Sequence, residues 1–170
     1  MTRIFVVVPA LLLAACGFQP LYGGTSAGNN VGATLSTVYV EDISDRVGYE
    51  LRNDLLDRLD ASGSPTSARY RLKLYLVEKE DPVVFQPNTN ITRYNYTLTA
   101  HYDLMPTAGT DAVKSGDVTA LAAYNVAAAP FLYATVTAQR DAKNRAANEI
   151  AERIRTELAV YLRQVAQETR

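Results

Sequence analysis

Alternation of apolar and polar residues in the middle of the chain predicts three β-strands. In ARYRLKLYLVEKE (68–80), one face carries Tyr70, Leu72, Leu74 and Leu76, and the other carries Arg69, Arg71, Lys73 and Tyr75. In ITRYNYTLTAHYDL (91–104), the apolar face holds Tyr94, Tyr96, Leu98, Ala100, Tyr102 and Leu104. In KSGDVTALAAYNV (114–126), Val118, Ala120, Ala122 and Tyr124 point inward, with a bulge expected at Ser115-Gly116. DPVVFQPNTN (81–90) has two prolines and predicts a long hairpin loop between the first two strands.

Helical periodicity appears on either side of these strands. After the short β-branched run LSTVYVE (35–41), Asp45 is a candidate N-cap. Leucines and a valine then recur at four-residue spacing: Val47, Leu51, Leu55 and Leu59. After PFLYATVTAQ (130–139), which predicts an extended segment or a helix lead-in, the final helix carries a longer stripe: Ala147, Ile150, Ala151, Ile154, Leu158, Tyr161, Leu162 and Val165.

The resulting order β-α-β-β-β-α predicts an α+β domain over residues 34–170. We expect a mostly antiparallel four-stranded sheet with two helices packed on one face. The opposite face would be polar and basic, and therefore exposed to solvent or to a partner.

The first residues have a different composition, which indicates export. Residues 1–15 combine one basic residue, Arg3, with a short apolar run and small residues, the layout of a signal peptide. Leu13-Ala14-Ala15-Cys16 resembles a lipoprotein signal, and this resemblance implies acylation of Cys16. The alternative is an ordinary signal peptide that happens to contain a cysteine. The Gly-, Ser- and Asn-rich stretch that follows makes 16–33 a lipidated N-terminus and flexible tether.

Composition gives little support for chemistry. Removal of Arg3 with the signal peptide would leave 16 basic against 18 acidic residues, so global charge does not favour nucleic acid. One cysteine and one histidine, His101, cannot form a closed metal centre or a disulfide. No nucleophile motif or phosphate-binding glycine loop occurs, so we expect no cofactor and no enzyme activity, and an outer-membrane-anchored hydrolase is disfavoured.

Three features together resemble the LptE family of lipopolysaccharide-assembly lipoproteins, in its alphaproteobacterial form. They are CGFQPLYG directly after the signal, SGDVTALAAYNV (115–126), and PFLYATVTAQRDAKNRAANEIAERIRTEL (130–158). The resemblance implies a non-catalytic protein, anchored to the outer membrane through Cys16, that plugs the lumen of the LptD barrel and binds lipopolysaccharide. It places the domain on the periplasmic side or within the lumen. The alternative is a structural or adaptor lipoprotein that docks on another envelope complex and does not bind lipopolysaccharide.

If the chain binds lipopolysaccharide, cations should meet the phosphates of lipid A. The candidates are Arg69, Arg71, Lys73, Arg93 and Lys114. We expect several of them to converge within a Debye length, roughly 8 Å, if neighbouring strands pair. The alternative is that they are solvated charges or contacts to the barrel wall.

Overall fold

The structure, a computed structural model, describes residues 31–85, 91–127 and 132–168. The predicted signal peptide, Cys16 and nearly all of the predicted tether lie outside the described residues. The elements, in chain order, are α1 (Val31–Leu35), β1 (Val38–Val40), α2 (Asp45–Leu59), β2 (Tyr70–Phe85), β3 (Ile91–Pro106), β4 (Lys114–Asn125) and α3 (Leu132–Glu168). A 3-10 turn, Pro65–Ser67, precedes β2.

The four strands form one sheet in the order β1-β2-β3-β4. β2, β3 and β4 pair antiparallel, whereas β1 pairs parallel to the start of β2. The predicted α+β class, with a mostly antiparallel four-stranded sheet, is confirmed. The two predicted helices are present as α2 and α3, and the short α1 is additional.

The hydrophobic core lies between the sheet and α2 and α3. Most of the apolar positions predicted for the strands are buried on this side: Leu72, Leu74, Tyr96, Leu98, Ala100, Tyr102, Leu104, Val118, Ala120, Ala122 and Tyr124. The other three, Tyr70, Leu76 and Tyr94, are half-buried. From α2 come Val47, Leu51, Leu55 and Leu59. The periodic stripes therefore identified the core faces, because burial of apolar surface is the main force that orients such elements.

α3 is 37 residues long, about 55 Å at the rise of an α-helix. Its central buried residues match the predicted stripe, but Tyr161 and Val165 are only half-buried. Burial also extends to three alanines that the stripe did not include: Ala142, Ala146 and Ala159. Small side chains at these positions allow the helix to lie close to its neighbours.

The starts of the first elements differ from the prediction. α1 begins at Val31, inside the predicted tether, and Val31 and Leu35 are buried. β1 is therefore limited to Val38–Val40. Asp45 is the first residue of α2 and not its N-cap, which is Ser44.

Two predictions about irregular segments are wrong. β2 continues through Asp81-Pro82 to Phe85, where a loop was expected, and its register shifts at Pro82 and Val84. The bulge predicted at Ser115-Gly116 is absent, since β3 and β4 pair without interruption from Leu104 opposite Lys114 to Arg93 opposite Asn125.

Candidate functional site

The face of the sheet that lies opposite the helices, here called the open face, carries the exposed side chains of β2, β3 and β4. In its centre, Tyr75, His101 and Asp117 form one cross-strand row, and Val77, Thr99 and Thr119 form the next. The rings of Tyr75 and His101 stack with centroids 6.2 Å apart. His101 contacts the Asp117 carboxylate through Nδ1, and the hydroxyls of Thr99 and Thr119 are 3.0 Å apart. The centre of the open face is therefore polar, with aromatic and aliphatic groups among the hydroxyls.

The open face is polar as predicted, but its charge is balanced and not basic. Lys73 lies directly across from Asp103, and Lys79 forms an ion pair of 2.9 Å with Asp81. Asp117 adds a further carboxylate to this face, in contact with His101. Acidic residues that alternate outward on β3 and β4 offset the cations of β2, which the pattern of β2 alone did not reveal.

Three of the five predicted lipopolysaccharide-binding residues lie together at the end of the sheet where β1 joins it. Arg71 and Lys73 point to the open face on β2, and Arg69 directly precedes that strand. Arg71 donates a long hydrogen bond of 3.4 Å to the carbonyl of Gly109 and lies 3.8 Å from Glu41, so it also holds the β3–β4 turn. We call Arg69, Arg71 and Lys73 the basic end.

The other two candidates, Arg93 and Lys114, lie elsewhere in the domain. Arg93 pairs with Val84 and Asn125 at the far end of the sheet. The residue of β3 directly across from Arg71 is Met105. Arg93 is twelve residues away from Met105 along the same strand, a distance of about 40 Å.

Lys114 lies opposite Leu104 and therefore on the helix side of the sheet. There it lines a groove of about 290 Å³ with residues of α3: Thr156, Glu157, Val160, Tyr161 and Gln164.

A polar cluster on the helix side was not predicted. Glu78 and Glu80 continue the inward-facing positions of β2, and the hydroxyls of Tyr96 and Tyr124 donate to them at 3.0 and 2.8 Å. Lys143 of α3 donates to Glu78 at 2.7 Å. The alternation predicted for β2 ended at Leu76, and its continuation to every second residue would have placed both carboxylates inward.

The polar cluster joins the long hairpin to the first half of α3. Gln139 donates to both oxygens of Glu80 at 3.0 Å, and the Lys143 ammonium lies 5.1 Å from the centre of the Tyr96 ring. Burial, reinforced by Glu78, raises the pKa of Tyr96 well above its ordinary value. Burial and the Glu80 carboxylate raise the pKa of Tyr124 to about 12. These groups therefore remain neutral hydrogen-bond donors at physiological pH.

Two kinds of feature are absent from the described ranges. Across 31–85, 91–127 and 132–168, no group of three or more His, Cys, Asp or Glu side chains is placed to hold a metal ion. Within the same ranges, no helix is both long and apolar enough to cross a membrane.

Comparison with known proteins places the chain in a family. Residues 35–158, from the end of α1 into the second half of α3, match the sequence profile of LptE, lipopolysaccharide-assembly. The chain therefore belongs to the LptE family, whose members are outer-membrane-associated lipoproteins. None of the curated proteins compared with it matches significantly.

Solved structures agree with this assignment. A putative lipoprotein from Caulobacter crescentus is 30% identical, with a TM-score of 0.64 over 78% of this chain and 94% of the other. Rare lipoprotein B from Shewanella oneidensis (15% identity, TM-score 0.54, 75% and 96% coverage) shares the fold. So does a minor lipoprotein from Acinetobacter baumannii (15% identity, TM-score 0.55, 73% and 89% coverage).

Proposed function

We propose that this protein is the non-catalytic lipoprotein subunit of the lipopolysaccharide-assembly machine, that it occupies the lumen of the LptD barrel, and that it binds lipopolysaccharide. The observation that carries the proposal is the LptE family match, which extends over residues 35–158 and so includes all four strands. The lipid anchor would be Cys16, because the sequence before it has the form of a lipoprotein signal.

The open face supports the plug role on physical grounds. The lumen of a large outer-membrane barrel is polar, so a protein that fills it needs a surface of hydroxyl, amide and balanced charged groups. The open face provides such groups in Thr97, Thr99, Thr119 and the His101–Asp117 pair. A sheet face of this kind can contact a polar wall without burying an unmatched charge.

For lipopolysaccharide we propose the basic end as the phosphate-binding surface. Arg69 and Lys73 are exposed there. Each is two residues from Arg71, so the three side chains lie on the same side of the chain. The proposed surface does not include Arg93 or Lys114, since neither lies beside the basic end. A phosphate bound by two cations gains charge-assisted hydrogen bonds, each worth about 1.5–3 kcal/mol.

The test compares two double variants of equal charge change on the same face. Arg69→Ala with Lys73→Ala removes two cations from the basic end, and Lys79→Ala with Arg93→Ala removes two from the middle and far end. We expect the first to weaken lipopolysaccharide binding by the purified full-length chain by about tenfold or more, and the second by less than about twofold. Arg71 stays unchanged because it supports the turn at Gly109. Equal losses in the two variants would assign binding to general charge, and unchanged binding in the first would contradict the proposed surface.

A further inference from the structure

The guanidinium of Arg71, in the middle of the basic end, is poorly held by its neighbours. Nη2 donates to the Gly109 carbonyl at 3.4 Å, and Nη1 lies 3.8 Å from the Glu41 carboxylate, too far for a hydrogen bond. Other arginines that join elements of the domain have shorter contacts: Arg145 donates at 2.9 and 3.1 Å, and Arg58 at 2.8 Å. Arg71 therefore has much of its hydrogen-bonding capacity unused.

The remaining donor of Arg71, Nε, is buried and has no hydrogen-bond acceptor among the described residues. A buried N–H without an acceptor has lost its bonds to water and gained none in exchange, which is unfavourable. The side chain as a whole is 37% accessible, so the guanidinium can turn toward the open face and bring Nε to a ligand. A suitable anion on the open face would therefore improve the environment of Arg71.

Glu41 already supplies a negative charge at this position. It directly follows β1, in which Val40 is buried opposite Leu72, so alternation directs Glu41 to the open face. The amide of Glu41 donates to the Leu72 carbonyl at 3.0 Å, which fixes its backbone beside β2. The parallel register then places the Glu41 side chain next to Arg71 and Lys73. Its carboxylate thus lies where an anionic ligand of the basic end would bind.

We propose that Glu41 is an internal counterion of the basic end, and that a phosphate of lipid A displaces it and binds Arg71. In the free chain, Glu41 holds the guanidinium in its inward position. In the complex, Arg71 turns outward and donates through Nε and one Nη to two phosphate oxygens, while Arg69 and Lys73 contact the same group. The inference rests on the proposed function, which supplies the ligand, and it adds the exchange that sets the affinity.

The exchange is favourable because the pair that it breaks is weaker than the pair that it forms. Glu41 and Arg71 are both partly accessible and 3.8 Å apart, and surface pairs of this kind contribute little to stability. A phosphate matches the planar fork of a guanidinium with two parallel hydrogen bonds. Glu41 therefore lowers the affinity without preventing binding. It also favours phosphates over carboxylates, since a carboxylate ligand gains nothing over Glu41 itself.

Two neutralising variants of neighbouring residues test the role of Glu41. Glu41→Gln removes the counterion, and Asp42→Asn is the matched control with the same change of charge. The Asp42 side chain is 91% accessible and pairs with Arg52, not with the basic end. We expect Glu41→Gln to tighten lipopolysaccharide binding by the purified full-length chain by about threefold or more, and Asp42→Asn by less than about 1.5-fold.

Two further measurements test whether Arg71 is the group that Glu41 controls. In an Arg71→Gln background, with folding established by circular dichroism, Glu41→Gln should tighten binding no more than the Asp42→Asn control. In the wild type, the Nε–H signal of Arg71 in proton–nitrogen NMR spectra should shift when lipopolysaccharide is added, and its exchange with water should slow. The NMR measurement needs no variant that alters the turn at Gly109.

The outcomes separate this inference from the proposed function. Tighter binding in Glu41→Gln alone, its loss without Arg71, and a shifted Nε–H signal support the exchange. Equal effects of Glu41→Gln and Asp42→Asn, a gain that persists in the Arg71→Gln background, or an unchanged Nε–H signal would overturn it. If the wild type binds lipopolysaccharide and any of these results is found, only the exchange is wrong. If the wild type does not bind lipopolysaccharide, the proposed ligand and the exchange are both wrong.

Discussion

Gly116 lies on β4 directly across from Tyr102 of β3, and the tyrosine ring occupies the space that a larger residue would need. A Cβ atom added at Gly116 would lie 2.8 Å from the ring. The ring cannot easily move, since its hydroxyl donates to Glu157 of α3 at 2.5 Å. The glycine therefore fits a close ring contact, although the sequence suggested a bulge at this point.

Gly116→Ala should accordingly destabilise the domain by about 1–3 kcal/mol, the usual cost of overpacking. Ser115→Ala, at the adjacent exposed position, should change the free energy of unfolding by no more than about 0.5 kcal/mol. Urea unfolding followed by circular dichroism measures both. Equal effects from the two variants would mean that the ring adapts and that the contact is not restrictive.

The tyrosines that donate to carboxylates predict how stability depends on alkaline pH. Burial and a neighbouring carboxylate raise the pKa of Tyr96, Tyr102 and Tyr124, with Tyr124 at about 12. Below pH 10 the tyrosines are neutral in the folded and unfolded states. Between pH 10 and 12 the unfolded chain ionises first, so each such tyrosine lowers the free energy of unfolding by up to about 1.4 kcal/mol per pH unit.

Thermal melts between pH 9 and pH 12 measure this loss. We expect Tyr124→Phe to be less stable than the wild type at pH 8, because the hydrogen bond to Glu80 is lost, but to lose less stability above pH 10. The same alkaline slope in the wild type and the variant would show that Tyr124 does not contribute to it.

The predicted acylation of Cys16 can be tested independently of the fold of the domain. Cys16→Ala has no thiol to acylate, so we expect an uncleaved precursor without lipid, while the wild type incorporates a palmitate analogue. Metabolic labelling followed by gel electrophoresis is the measurement. Label on the Cys16→Ala chain would rule out Cys16 as the anchor.

At the scale of elements, α3 depends on the residues at the centre of its buried stripe. Ile154 and Leu158 are fully buried, while Thr156 between them is exposed. Ile154→Ala or Leu158→Ala should cost about 2–5 kcal/mol through lost burial and a cavity. Thr156→Ala should cost no more than about 0.5 kcal/mol. Denaturant unfolding ranks the three, and the reverse order would place the buried face of α3 elsewhere.

Periodicity predicted the strands and the helix faces because each of these elements buries one side. It did not predict that β2 continues through Pro82, since proline usually signals a loop. The signal was misleading because an N–H at position 82 would point away from β3, so its absence breaks no hydrogen bond of the β2–β3 pair. Which side of β2 is unpaired depends on the order of strands in the sheet, and the local sequence does not show that order. α1 was missed for a related reason: five residues carry too little periodicity to indicate a helix.

The candidate site was only partly predictable. Alternation correctly placed Arg71 and Lys73 on one side of β2, because this relation is local. Arg93 was expected to lie nearby, yet β2 and β3 form a hairpin with arms of 16 residues, which separates it from Arg71 by most of the length of the sheet. Lys114 lies on the helix side because β4 has no bulge at Ser115-Gly116, so one residue of register decides which face it occupies.

At the scale of the whole molecule, the domain has one covered and one open face. α2 and α3 cover the helix side, while the open face presents hydroxyls, matched charges and a few apolar groups. The basic end lies at one end of this face and the long hairpin extends to the other, about 50 Å away. Such a surface suits contact with a large polar partner over its whole length, and this is the central claim of the proposed function.

Co-purification of the full-length chain from its own outer membrane in mild detergent tests that claim most directly. The account predicts one copy of this chain per copy of a single large barrel protein, with lipopolysaccharide present in the complex. Recovery with a different envelope complex and without lipopolysaccharide, or recovery of the chain without a stoichiometric barrel protein, would contradict it and favour an adaptor role.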